Sequence, residues 1–144
     1  MQIDETDRAL IASLSENARL PVADLARRLG LARTTVQARL DRLEAQGAIA
    51  GYTLKRGPGL HPALRATVLI SVEPRATAAV LSRLKSLTAV ETVHTTSGRF
   101  DMIATLSADT TEALDHTLDT IGEAKGVKAS ESLIHLSTRI DRGS

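Results

Sequence analysis

The stretch ADLARRLGLARTTVQARLDRLEAQGAI, residues 23–49, holds two apolar-periodic segments broken at a glycine. In the first, Val22, Leu25, Ala26 and Leu29 recur at i, i+3, i+4 and i+7, the stripe of a helix that buries one face, and it stops at Gly30. In the second, Val36, Leu40 and Leu43 share a face, and Gly47 supplies the residue that accepts the left-handed conformation closing a helix. Two helices joined by so short a glycine-containing turn predict a helix-turn-helix. Upstream, Ile3, Leu10, Ile11 and Leu14 approximate one face of a further helix, which Asp4 can cap through its carboxylate. Pro21 suits the first turn of the middle helix, because its missing N–H would have had no partner there.

On the last of these helices, the positions turned away from Val36, Leu40 and Leu43 are Thr34, Gln37, Ala38, Asp41 and Arg42, with Arg33 in the first turn and Arg39 on the flank. A helix that reads a major groove needs side chains near its N-terminus that reach base edges, and arginines beside them for phosphates. Arg33, Thr34, Thr35, Gln37, Ala38, Arg39 and Arg42 therefore form the candidate DNA-binding set. A solvated face with ordinary surface charge is the other reading of any single amphipathic helix, and the spacing of three helices weighs against it.

Composition limits what else the chain can be. Its 144 residues, 42% hydrophobic and 24% charged, suffice for one ordinary domain or two small ones. Cysteine is absent, so no disulfide framework or thiolate metal site is available. His61, His94, His116 and His135 show no ligand spacing, and no metal site is expected. The first residues, MQIDETDR, are acidic rather than a basic leader, and the longest uncharged apolar run, ATVLISV at 66–72, falls far short of a bilayer span of roughly 20 residues. A soluble cytoplasmic protein with no membrane partner is expected. Charge is nearly balanced, with nine Lys/Arg against seven Asp/Glu up to Arg56 and nine against ten beyond it.

The pattern changes character near that point. From Ile49 the segment IAGYTLKR looks extended, and GPGLHP at 57–62 reads as a linker. ALRATVLISV then alternates strictly, placing Leu64, Ala66, Val68, Ile70 and Val72 on one face of a strand. Helical spacing returns at Val80, Leu84 and Leu87; VETVHTTS and DMIATL follow as a hairpin around a tight turn, Gly98-Arg99-Phe100. Asp109 and Glu112 have capping-box spacing ahead of a stripe of Leu114, Leu118 and Ile121, and a last strand runs near Val127 to Leu136. Strand, helix, strand, strand, helix, strand is the ferredoxin-like βαββαβ order, so the fold class is α+β.

With these residues in view, the chain resembles the Lrp/AsnC, or feast/famine, transcriptional regulators. IDETDRALIASLSENARLPVADLARRLGLARTTVQARLDRLEAQGAIAGYTL is similar to that family's DNA-binding signature from end to end, and GRFD at 98–101 resembles its Gly-x-aromatic-Asp motif. The resemblance implies a helix-turn-helix domain over 1–52, a connecting strand and linker over 53–62, and an ACT-like domain called RAM over 63–144. It further implies homodimers that assemble to octamers, double-stranded DNA as one partner, and an amino acid or related metabolite as non-covalent effector. No other cofactor is implied. The effector would bind near Thr96, Ser97, Gly98, Arg99, Phe100 and Asp101. Where the family usually starts its recognition helix with serine, this chain has Ala32, which cannot accept a bond from an unpaired helix N–H.

Asp101 either fixes the turn through an Asx-type bond or meets the ammonium of an effector. The architecture also resembles that of sirohaem decarboxylases, so an enzyme on the same scaffold is the alternative to a regulator. Arginine, threonine and glutamine on the reading helix favour the regulator, and no enzymatic activity is expected. With Tyr52 and Phe100 as the only aromatics, a large planar effector is disfavoured.

Overall fold

Asp4 opens the first helix, α1 (Glu5–Glu16), by accepting the N–H of Asp7 at 2.8 Å, while the Asp7 carboxylate accepts the N–H of Asp4 at 3.2 Å. Two otherwise unpaired donors are thereby satisfied reciprocally. The computed structural model describes residues 2–57, 59–60 and 63–142, in two units, Met1–Lys55 and Arg56–Ser144.

In the first unit, α2 (Val22–Leu29) and α3 (Arg33–Ala45) follow α1. Pro21 stands just before α2 and its carbonyl accepts from Asp24 and Leu25. Gly30, at φ 66°, ends α2 in the left-handed region, and Leu31 N–H returns to the carbonyl of Ala26. The three helices enclose Leu10, Leu25, Ala26, Val36 and Leu40, with Leu14, Leu20, Val22, Leu29, Leu31 and Ile49 packed around them. Each such aliphatic side chain removed from water contributes on the order of 2 kcal/mol, enough to fix how the helices lie on one another. No strand includes residues 49–57, so the expected connecting strand is absent among the described residues. Pro58, His61 and Pro62 of the expected linker lie outside the described residues.

The second unit runs β1 (Leu64–Val72), α4 (Thr77–Lys85), β2 (Val90–Thr95), β3 (Met102–Ala108), α5 (Thr111–Glu123) and β4 (Val127–Ile134). Its sheet has the order β2-β3-β1-β4 with every pair antiparallel. Val68 sits opposite Ala104 on one side and Ser132 on the other. Ala66, Val68 and Ile70 of β1 and Met102, Ala104 and Leu106 of β3 point to one face, where Val80, Leu84, Leu114 and Ile121 from the helices complete the core.

Three local expectations are corrected. Leu87 packs against the core from beyond α4, which ends at Lys85. The cap of α5 is Thr110, whose hydroxyl accepts the N–H of Ala113 at 3.1 Å; Asp109 lies one residue too early. The β2–β3 connection is a loop over residues 96–101, longer than a tight Gly-Arg-Phe turn, because Thr96 and Asp101 leave the ladder and close the loop with a bond from Thr96 N–H to Asp101 carbonyl.

Candidate nucleic-acid interface and effector loop

Helix α3 buries Val36, Leu40 and Leu43 and leaves Arg33, Thr34, Thr35, Gln37 and Ala38 exposed. Of these, Gln37 donates to Asp41 at 2.8 Å one turn on. Ala32 is the residue before the helix, and no side chain caps the first N–H groups. Those groups carry the positive end of the helix dipole, a favourable place for an anion.

The two remaining members of the candidate set are held by the protein itself. Arg39 Nη1 donates to Asp7 Oδ1 at 3.0 Å and to both Asp4 oxygens, at 2.9 and 2.7 Å, and Arg42 Nη2 donates to Asp7 Oδ2 at 2.5 Å. The Asp7 side chain is 0% exposed, and the side chains of Arg39 and Arg42 are 28% and 41% exposed. A buried carboxylate without partners would be costly, and here its two oxygens are shared between two guanidiniums and the Asp4 N–H. Arg39 holds the Asp4 carboxyl down to about 2, helped by the Asp7 N–H. Burial pushes the Asp7 carboxyl up, but the Asp4 N–H, Arg39 and Arg42 together outweigh it and hold the group below its ordinary value.

Sequence reasoning missed this cluster although a signal was present. Asp7 falls on the stripe of Ile3, Leu10 and Leu14, and a carboxylate on a core-facing stripe requires a buried partner. At the other end of α3, Tyr52 donates to Glu44 at 2.7 Å; burial, then the Glu44 carboxylate, push its phenol up to about 12.

In the second unit the loop 96–101 brings together Thr96, Ser97, Gly98, Arg99, Phe100 and Asp101. Gly98 has φ 125°, a region closed to most side chains. Thr96 hydroxyl donates to the Phe100 carbonyl at 2.8 Å, and the Arg99 guanidinium lies 5.1 Å from the Phe100 ring centre and 3.8 Å from Glu131. Asp101 makes no Asx-type bond within its own turn. Its Oδ2 instead accepts the N–H of Val72 at 2.7 Å, and its own N–H donates to the Ile70 carbonyl, so it pins the loop to the end of β1. The side chain remains exposed. Among the described residues no group of His, Asp and Glu is arranged to hold a metal ion, and no helix is long and apolar enough to cross a membrane.

A helix-turn-helix whose last helix presents an open polar face, together with a ferredoxin-like unit carrying an exposed loop, defines a DNA-binding regulator with a ligand-binding domain. Residues 3–44 match the AsnC-type helix-turn-helix domain and residues 65–144 the Lrp/AsnC ligand binding domain. The chain belongs to the Lrp/AsnC family of transcriptional regulators. It is 30% identical over 139 residues to the HTH-type transcriptional regulator FL11 of Pyrococcus abyssi, covering 96% of this chain and 92% of that one. Among solved structures, E. coli AsnC superposes with a TM-score of 0.90 at 26% identity, covering 100% of this chain and 99% of that one. A feast or famine regulatory protein of M. tuberculosis, complexed with L-methionine, gives a TM-score of 0.83 at 27% identity over 97% and 96% of the two chains.

Proposed function

We propose that this chain binds a specific double-stranded DNA sequence through α3 and that an amino acid or related metabolite, held at the loop 96–101, alters that binding or the assembly of the protein. Arg33, Thr34, Thr35, Gln37 and Ala38 meet the groove, and Arg39 and Arg42 flank it. The observation that carries this reading is the exposure of those five residues along one face of a helix whose opposite face is fully buried. An effector of amino-acid type is supported by the L-methionine bound to the M. tuberculosis relative. Asp101, exposed and with Oδ2 on the Val72 N–H, suits an ammonium, and the loop's backbone N–H groups suit a carboxylate.

The working form is a homodimer that assembles further, to an octamer by family resemblance. Leu69, Ile103 and Leu133 lie on the sheet face opposite the helices, and Leu133 is 49% exposed, which supports association with a second copy. The protein acts in the cytoplasm, as a regulator and not as an enzyme, and needs no cofactor beyond the effector. Sequencing genomic fragments captured by the purified protein, with and without a panel of amino acids, tests the reading. A discrete enriched motif whose recovery changes with one amino acid is expected; recovery without sequence preference overturns it. Affinity for a tetrapyrrole would favour the enzymatic alternative instead.

A further inference from the structure

Asp4, Thr34, Thr35, Ala38, Arg39 and Arg42 line one shallow groove beside the N-terminal half of α3. The anions already facing its arginines belong to the protein. Asp4 has two tasks there, capping α1 and pairing with Arg39, and only the second calls for a charge, because asparagine or serine caps a helix as well. Nor is Asp4 required to compensate a buried arginine. Asp7, 0% exposed, already gives Arg39 a carboxylate partner, whereas the Asp4 side chain is 53% exposed. What Asp4 adds is one negative charge at the rim of the surface that faces DNA.

We propose that Asp4 sets the specificity of DNA binding: sharing Arg39 with Asp7, it cancels the positive charge that Asp7 alone leaves on the two arginines and so opposes phosphates at this groove, and duplex lacking the operator sequence is held weakly. This rests on the reading of α3 as the DNA-contacting helix. Affinity for arbitrary duplex follows the number of phosphates neutralised, whereas discrimination follows base contacts, which here fall to Thr34 and Gln37. Two arginines against two carboxylates leave the groove with no net charge. The non-specific contribution is thereby lowered while the base-reading side chains are untouched, and the ratio of the two widens. Because Arg39 holds the Asp4 carboxyl down to about 2, the charge is present in any buffer in which DNA binding is measured.

The test compares the full-length wild type, Asp4→Asn and the double variant Asp4→Asn with Arg39→Gln, each titrated over a range of salt with a random-sequence duplex and with the captured operator. Asp4→Asn keeps the cap and leaves Arg39 with the Asp7 carboxylate alone, so that the groove gains one unit of net positive charge. Its affinity for random duplex should rise by about five- to tenfold at about 0.1 M salt, and its salt dependence should steepen by about 0.9 for each recognition helix engaged. Operator affinity should gain less, narrowing the ratio, and the double variant should return to the wild-type salt dependence. Asp4→Ser carries the same comparison should melting show that the asparagine variant is poorly folded. Unchanged random-duplex affinity and slope in both Asp4 variants, or a gain that survives removal of Arg39, overturns the proposal. A wild type that binds no duplex at low salt would instead overturn the reading of α3 itself.

Discussion

Asp7 and Asp101 are carboxylates at the edges of the two candidate sites, and their surroundings are opposite. Asp7 is fully buried, with Arg39, Arg42 and the Asp4 N–H on its two oxygens. Asp101 is exposed, and its Oδ2 accepts a single backbone N–H, that of Val72. The first arrangement fixes one helix against another and keeps the Asp7 carboxylate from solvent. The second fixes a loop while keeping the charge within reach of solvent. Residue type alone does not distinguish a charge that orients a site from one that serves it; the number and burial of its partners does.

Removing the buried member should have the largest consequence. Asp7→Ala leaves Arg39 and Arg42 without their shared partner and opens the capping box, and since both arginines can turn partly to water, a loss of about 2 to 3 kcal/mol is expected. Denaturant unfolding followed through Tyr52, the only tyrosine and a member of the first unit, measures it. A change under about 0.5 kcal/mol would erase the contrast with Asp101. The same cluster sets an acid response. Asp4 and Asp7 have their carboxyl groups lowered from an ordinary value of 3.8, so the stability they contribute is fully present above that pH. It is lost as pH falls towards about 2, where Asp4 titrates in the folded state. Tyr52 emission in an acid titration should report unfolding of the first unit within that window, and Asp7→Asn should flatten the response.

Asp101 sharpens the comparison from the other side. Asparagine can still accept the Val72 N–H, so Asp101→Asn should leave thermal stability nearly unchanged while weakening an amino-acid effector by about 1.5 to 3 kcal/mol, the scale of a bond to a charged group. Calorimetric titration of both proteins decides it, and equal affinities would assign Asp101 to the loop alone. Asp101→Ala, which also removes the acceptor, should cost about 1 kcal/mol of stability.

The order of elements and the buried faces of α3 and β1 were legible in the sequence, because periodicity of 3.6 or 2 reports which side meets a core. Gly47 likewise carries the positive φ expected of glycine beyond a helix end. What periodicity could not show were contacts between residues far apart in sequence. Arg39 and Arg42 look free for phosphates on a helical wheel, yet their partners lie more than 30 positions away in α1. The Asp101 to Val72 bond, across 29 positions, is of the same kind. The capping hydroxyl of Thr110 was overlooked for a different reason: Asp109 and Thr110 are both good caps, and only backbone conformation chooses between them.

A smaller effect attaches to Ala32, which leaves the start of α3 without a side-chain cap. Ala32→Ser should stabilise the first unit by about 1 kcal/mol in denaturant unfolding, and no gain would place the effective start of the helix elsewhere.

Whether the exposed face of α3 reads DNA is decided by a set of operator isotherms for Arg33→Ala, Thr34→Ala and Gln37→Ala, each against the operator and single-base variants of it. Thr34→Ala and Gln37→Ala should relax preference at particular base pairs by about 1 to 3 kcal/mol while changing affinity for random duplex little. Arg33→Ala, if its contact is to a phosphate, should weaken all sequences alike and make the salt dependence shallower by about 0.9. Isotherms that coincide with the wild type for all three variants, on every duplex, would contradict the assignment of α3 as the reading helix.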